Sequence, residues 1–211
     1  MEVAILNIEG NDTGRKVVLN NQVFGIEPND HAIYLDVKQF LANQRQGTHS
    51  SLERSMVSGS TKKLHRQKGT GGSRKGSVKS GTRVGGARIF GPQPRNYSFK
   101  LNKKLKQLAR MSALAYKAKD SNIIVLENFT FDSSKTKNYI NVINNLKLNN
   151  AKTLLVMADY NDFIYKSSRN LTKSKVVTVS DVNTYEILNA QNVILLENSL
   201  GAIDNLFNKN K

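Results

Sequence analysis

The 211-residue chain contains no cysteine and no tryptophan, and only three prolines. Without cysteine there is no disulfide framework and no thiolate metal site, which excludes zinc-ribbon readings of any basic segment. No run of eighteen apolar residues is present to span a bilayer, and Met1-Glu2-Val3-Ala4-Ile5 lacks the basic and apolar regions of a secretory signal. The expectation is a soluble, intracellular protein. Aromatic residues are missing from 41 to 89. Acidic residues are missing from a longer stretch: Arg54 to Lys119 holds eighteen Lys or Arg and no Asp or Glu. The other residues carry 14 basic and 16 acidic side chains, so the net charge of +16 arises in this one block.

A hydrophobic content of 38% is enough for a packed core. Residues 3–8 and 16–19 read as short strands around the turn-rich Gly10-Asn11-Asp12-Thr13-Gly14. Asn29-Asp30 can cap a helix over 31–46 whose buried face is Ile33, Val37, Phe40 and Leu41. From Gly47 to Gly91 periodicity vanishes, and nine of the fourteen glycines fall between Gly59 and Gly91. Such a stretch holds too little apolar surface to offset its ordering entropy, so it is expected to be extended or disordered alone. If it leaves the domain and returns, it reaches about 70 Å. Leu101, Leu105, Leu108, Met111, Ala115 and Ala118 then trace one face of a basic amphipathic helix.

After Asp120 the apolar runs 123–126, 153–157, 175–179 and 192–196 read as strands covered on both faces. They alternate with helical stretches at 135–148, 162–170, 182–190 and 199–207. The predicted fold is α/β, a mostly parallel sheet flanked by helices, Rossmann-like in its layering, with a long internal extended loop. The predicted organisation is a globular domain of 1–46 and 92–211, with 47–91 inserted as a basic, glycine-rich loop.

Catalytic fingerprints are absent. Gly69-Thr70-Gly71-Gly72 follows no strand and opens no helix, and Gly76-Ser77 lacks the lysine of a phosphate-binding loop. His31, His49 and His65 have no ligand partners at metal spacing. Asp159 and Asp162 follow a strand, where an α/β enzyme places carboxylates, but helix capping by Asp162 is the commoner role. No enzyme activity, metal or cofactor is expected. The aromatic gap argues against base stacking by the block and leaves backbone and shape readout of a folded nucleic acid. Arginine forks clamp phosphates, lysines add point charge, and glycines let peptide N–H groups come close. A membrane surface would need bulky apolar residues the block does not have.

Arg45-Gln46-Gly47-Thr48, Lys62-Lys63, the run Arg66-Gln67-Lys68-Gly69-Thr70-Gly71, Gly76-Ser77 and Phe90-Gly91-Pro92-x-Pro94-Arg95 closely resemble the bacterial uL-four family of large ribosomal subunit proteins. The resemblance covers essentially the whole chain, including Asn102-Lys103-Lys104, Ser112-Ala113-Leu114 and Lys135-Thr136-Lys137. It implies a structural protein of the cytoplasmic ribosome that binds 23S ribosomal RNA through its loop. On this resemblance the RNA-binding residues are Arg45, Arg54, Lys62, Lys63, Arg66, Gln67, Lys68, Arg74, Lys75, Lys79, Arg83, Arg88, Arg95, Lys100, Lys103 and Lys104. The loop tip, placed at 60–68 with Lys62, Lys63, Leu64, His65 and Arg66, is implied to line the nascent peptide exit tunnel near the protein uL-twenty-two. Many members read Lys-Pro-Trp-Arg-Gln-Lys where this chain has Lys63-Leu64-His65-Arg66-Gln67-Lys68, and often Arg-Ala-Arg where it has Gly72-Ser73-Arg74. Free RNA chaperoning or transcript regulation is the alternative role for the same block.

Overall fold

The computed structural model describes residues 1–208, which divide into two compact units: Met1–Leu41 with the described residues from Lys100 onward, and Ala42–Phe99. The second unit is wider than the predicted 47–91 loop, because residues 43–47 are hydrogen-bonded and stacked with 95–99.

In the first unit β1 (Glu2–Leu6) and β2 (Asp12–Val18) form an antiparallel hairpin, with a register shift between Ala4 and Leu6. A one-turn helix α1 (Asn21–Phe24) and α2 (Asp30–Asn43) follow. Past the second unit come α3 (Lys103–Lys119), β3 (Ile123–Leu126), α4 (Thr136–Asn145), β4 (Thr153–Met157), α5 (Asp162–Ser168), β5 (Ser174–Thr178), α6 (Thr184–Asn189), β6 (Asn192–Leu196) and α7 (Glu197–Asn208). The six strands form one sheet in the order β2-β1-β3-β6-β4-β5, parallel throughout except for the β1–β2 pair.

Period-two alternation explains the buried runs. Along β4, Leu154 and Val156 join a cluster with Leu114, Ala118, Ile187 and Ile203 from α3, α6 and α7. Leu155 and Met157 face the other way, against Tyr139, Val142 and Ile143 of α4 and Ile164 of α5. The chain moves outward to β5 through α4 and α5 on one face and returns through α6 on the other, which inserts β6 between β3 and β4. Burying a Leu or Ile side chain in these layers stabilises the fold by about 1.5–3 kcal/mol.

Four expectations are corrected. β2 starts at Asp12 rather than 16, because an edge strand paired only to β1 can be polar along its first half. α2 does not bury Ile33, Val37, Phe40 and Leu41: its buried residues are Ala32, Asp36 and Gln39, and Leu41 is exposed. Asp36 is accommodated because Thr184 Oγ1 donates to its Oδ2 at 2.5 Å, and a buried polar group costs little once it is hydrogen-bonded. Asn161, not Asp162, caps α5 by accepting from the Phe163 and Ile164 amides. The α3 face shifts as well: Ala109, Ser112, Ala113 and Leu114 are buried with Ala115 and Ala118, while Leu105, Leu108 and Met111 are half-buried. Among the described residues no helix is long and apolar enough to cross a membrane.

Candidate nucleic-acid interface

Ala42–Phe99 contains no helix or strand beyond the last turn of α2, yet its backbone is ordered by a ladder of contacts between its outgoing and returning limbs. The Arg95 amide donates to Gly47 O at 3.2 Å, Ser51 to Pro92 O at 3.0 Å, Arg88 to Leu52 O at 3.0 Å, and Leu64 to Gly76 O at 3.2 Å. Gly47 has φ +64°, and a Cβ there would meet Arg95 O at 2.0 Å. Only glycine closes this base without strain. A Cβ on Gly91 would similarly meet Ser51 Oγ at 1.9 Å.

The returning limb is the more compact. Amides of Ser80, Arg83 and Gly86 each donate three residues back, giving successive turns from Ser77 to Gly86, and the Ala87 amide closes them on Lys79 O at 3.1 Å. Ser77 and Ala87 are the two buried residues of this unit, and Arg54 Nη2 donates to Ser77 Oγ at 3.3 Å. These turns occur where sequence reasoning expected featureless chain, and their signal is the spacing of Ser and Gly over 77–86.

The four backbone hydrogen bonds between the limbs are all centred between residues 70 and 72. The reversal thus spans 65–75, with His65, Arg66, Gln67, Lys68 and Arg74 on it, all exposed. Lys62 and Lys63 lie on the outgoing limb rather than at the turn, and Lys63 Nζ bonds Gln67 Oε1. Lys75, Lys79 and Arg83 are half-buried along the return, and Arg88 is exposed. At the base, Arg45 and Arg95 bracket the Tyr97 ring, with their guanidinium carbons 3.6 and 4.5 Å from its centroid. His49 Nε2 and Tyr97 Oη are 2.7 Å apart. Sequence reasoning missed the roles of Tyr97 and His49; the signal was an aromatic two residues from Arg95. Lys100 belongs to the first unit with Lys103 and Lys104, which are exposed in the first turn of α3, where no acid offsets them. Cations at a helix N-terminus oppose the macrodipole, and an anion there relieves both.

The electrostatics are one-sided. Ala42–Phe99 holds twelve Lys or Arg and a single acid, Glu53. Glu53 Oε1 accepts from Gln93 Nε2. None of the twelve cations is ion-paired among the described residues; the ion pairs are Arg15 with Glu127 and Glu197, Lys166 with Asp162, and Lys175 with Glu186, all in the first unit. Val84 and Phe90 are fully exposed, and Phe90 holds φ +51°, a strained conformation for a bulky residue.

At the carboxyl ends of the strands, where α/β enzymes place their chemistry, three carboxylates are tied down. Glu127 and Glu197 lie 3.1 and 3.2 Å from Arg15. Asp162 is held below the ordinary carboxylate range by its bond from Lys166 Nζ at 2.6 Å. Among the described residues no cluster of three or more His, Cys, Asp or Glu could hold a metal ion. Fold and interface together define a class: an α/β scaffold that carries an uncompensated, glycine-rich cationic loop.

Comparison with known proteins gives the class a family. Residues 17–206 match the ribosomal protein L4/L1 family. The chain is 60% identical over 206 residues to large ribosomal subunit protein uL4 of Phocaeicola vulgatus, covering 98% of this chain and 99% of that one. It is 58% identical over 209 residues to the protein of that name from Flavobacterium johnsoniae, and 57% over 208 residues to that from Cytophaga hutchinsonii, covering 99% of this chain and all of the other in each case. The chain belongs to the ribosomal protein L4/L1 family. It is a ribosomal protein with a structural role and not an enzyme.

Proposed function

We propose that the chain is a structural constituent of the large ribosomal subunit in the cytoplasm, and that Ala42–Phe99 binds 23S ribosomal RNA. The observation that carries the RNA reading is the set of twelve cations facing a single acid, with none of the twelve ion-paired among the described residues. In isolation these charges repel one another, and phosphates relieve that repulsion while releasing condensed counterions. The backbone ladder holds Arg54, Arg88 and Arg95 near the base, and Arg66, Lys68 and Arg74 at the reversal, so contacts run along the whole loop. Fully exposed Val84 and Phe90 fit a segment whose remaining packing partners come from the RNA and neighbouring subunit proteins.

The reversal at 65–75 is our candidate for the part that reaches the nascent peptide exit tunnel, beside uL-twenty-two. His65 there offers a smaller, titratable ring than an indole and a shorter stacking surface.

Sedimentation of cell extract tests the assembly: the protein is expected almost wholly in the large subunit, and a free or transcript-bound pool would instead favour a chaperone or regulatory role. A photo-crosslinker at position 65 tests the tip. Crosslinks to a stalled nascent chain are expected; crosslinks to RNA alone would remove the tunnel reading and leave the RNA reading intact.

A further inference from the structure

Part of the returning limb has no room in the ladder. Ser51 and Leu52 are neighbours, yet the Ser51 amide donates to Pro92 O at 3.0 Å while Leu52 O accepts from the Arg88 amide at 3.0 Å. Residues 89–91 are therefore looped out between two cross-limb bonds, and Ser51 Oγ pins the same end by donating to Pro92 O at 3.3 Å. Two of these residues turn back onto the protein. Gly91 passes so close to Ser51 that a Cβ would lie 1.9 Å from its Oγ, and Ile89 fills the space a Cβ on Gly81 would need, with its Cγ1 2.5 Å away. Phe90 is left at the apex, fully exposed and at φ +51°.

Both properties are unfavourable for the free chain. The left-handed region strains a bulky residue, and a solvated ring forgoes the burial that ordinarily stabilises it. Strain imposed by pinned surroundings is characteristic of binding elements. The neighbours of the ring select its partner. Arg88 borders the bulge and Arg95 follows it, while Glu53, the one acid of the unit, is held by Gln93. Cations at this spot draw phosphates to the apex, and the apolar surface that RNA offers to a ring is the face of a base. A protein-docking surface would instead spread over a broad apolar patch. Phe90 is also the first aromatic after the gap at 41–89, and the next, Tyr97, is already covered by Arg45 and Arg95.

We propose that Phe90 is a stacking wedge, whose ring lies against one base of the bound RNA, splayed out or at an opened step, while the arginines beside it hold phosphates. The wedge presupposes the RNA reading of Ala42–Phe99 and adds a base contact to a loop otherwise built for phosphates. Stacking tolerates any base, so the ring contributes affinity and register and not sequence choice.

The test is binding of the full chain to transcribed 23S ribosomal RNA across a salt series. Phe90→Ala is expected to bind about tenfold more weakly, within the range of one base–aromatic stack, with an unchanged salt slope because no phosphate contact is lost. Phe90→Trp is expected to keep the affinity and Phe90→Leu to fall between. Phe90→Gly separates ring from strain: it relaxes the backbone and is expected to bind as weakly as Phe90→Ala. A second measurement does not depend on how a truncated variant folds. With p-azidophenylalanine at position 90, large subunits purified from cells are expected to yield crosslinks to a ribosomal RNA base. Full affinity in Phe90→Ala or Phe90→Gly, or crosslinks confined to a subunit protein, would overturn the wedge and leave the RNA reading in place. Binding by the unaltered chain that does not vary with salt would overturn the RNA reading itself.

Discussion

Leu154 and Leu155 are neighbours in sequence, yet they bury themselves on opposite faces of β4, each about 1% exposed. Within Ala42–Phe99 only Ser77 and Ala87 are buried, and Val84 and Phe90 stand fully in solvent. The first unit is held by apolar burial on both faces of a sheet. The second is held by turns, a few limb-to-limb hydrogen bonds and Arg-Tyr stacking, and it leaves its charges open. Stability and binding capacity are therefore properties of different residues. A substitution that damages one region should spare the other.

The strongest way to break that separation is in the core. Leu195 is fully buried, and Leu195→Ala is expected to cost about 2–5 kcal/mol in chemical denaturation while leaving the salt dependence of RNA binding unchanged. A changed salt slope would mean the two regions are coupled. The converse experiment replaces Lys62, Arg66 and Lys68 together with Ala. The slope of log affinity against log salt should flatten by about two to three, with folding stability moving by no more than about 0.5 kcal/mol.

Within the loop, Gly47→Ala places a Cβ on Arg95 O at a positive φ. Hydrogen exchange should show the base opening, at a local cost of about 1–3 kcal/mol, with the sheet amides unaffected. Tyr97→Leu removes the ring between Arg45 and Arg95, and loosening by about 0.5–1 kcal/mol per stacked guanidinium should appear as faster proteolysis near residues 45 and 95. The smallest effect belongs to Asp162. Its carboxyl is held low by Lys166, so the stabilisation it gives is fully present above the ordinary aspartate range and fades as pH falls toward the depressed folded value. A carbon-detected NMR titration should place Asp162 below an unperturbed aspartate, and Lys166→Met should return it upward.

Much of the first unit could be read from sequence because strands buried on both faces leave continuous apolar runs: 123–126, 153–157 and 192–196 match β3, β4 and β6. β2 escaped because Asp12 to Lys16 is mostly exposed and has only β1 to pair with. The buried face of α2 escaped because Asp36 is made acceptable by Thr184, 148 residues away. In the loop the near-absence of acid, with Glu53 alone, made the cations visible at once. The role of Tyr97 was not visible, since it requires Arg45 and Arg95 to return to one place, and the centre of the reversal near 70 is set by limb pairing, which leaves no local pattern.

The hydrogen bond from Arg95 to Gly47 turns 49 residues of irregular chain into a closed ring. Closing a flexible segment of that length carries an entropy cost of about 3 kcal/mol. Here that cost is met when the protein folds. If the loop binds RNA as proposed, an RNA that engages both limbs meets ends already joined, and its affinity then depends in part on a backbone contact at the base of the loop.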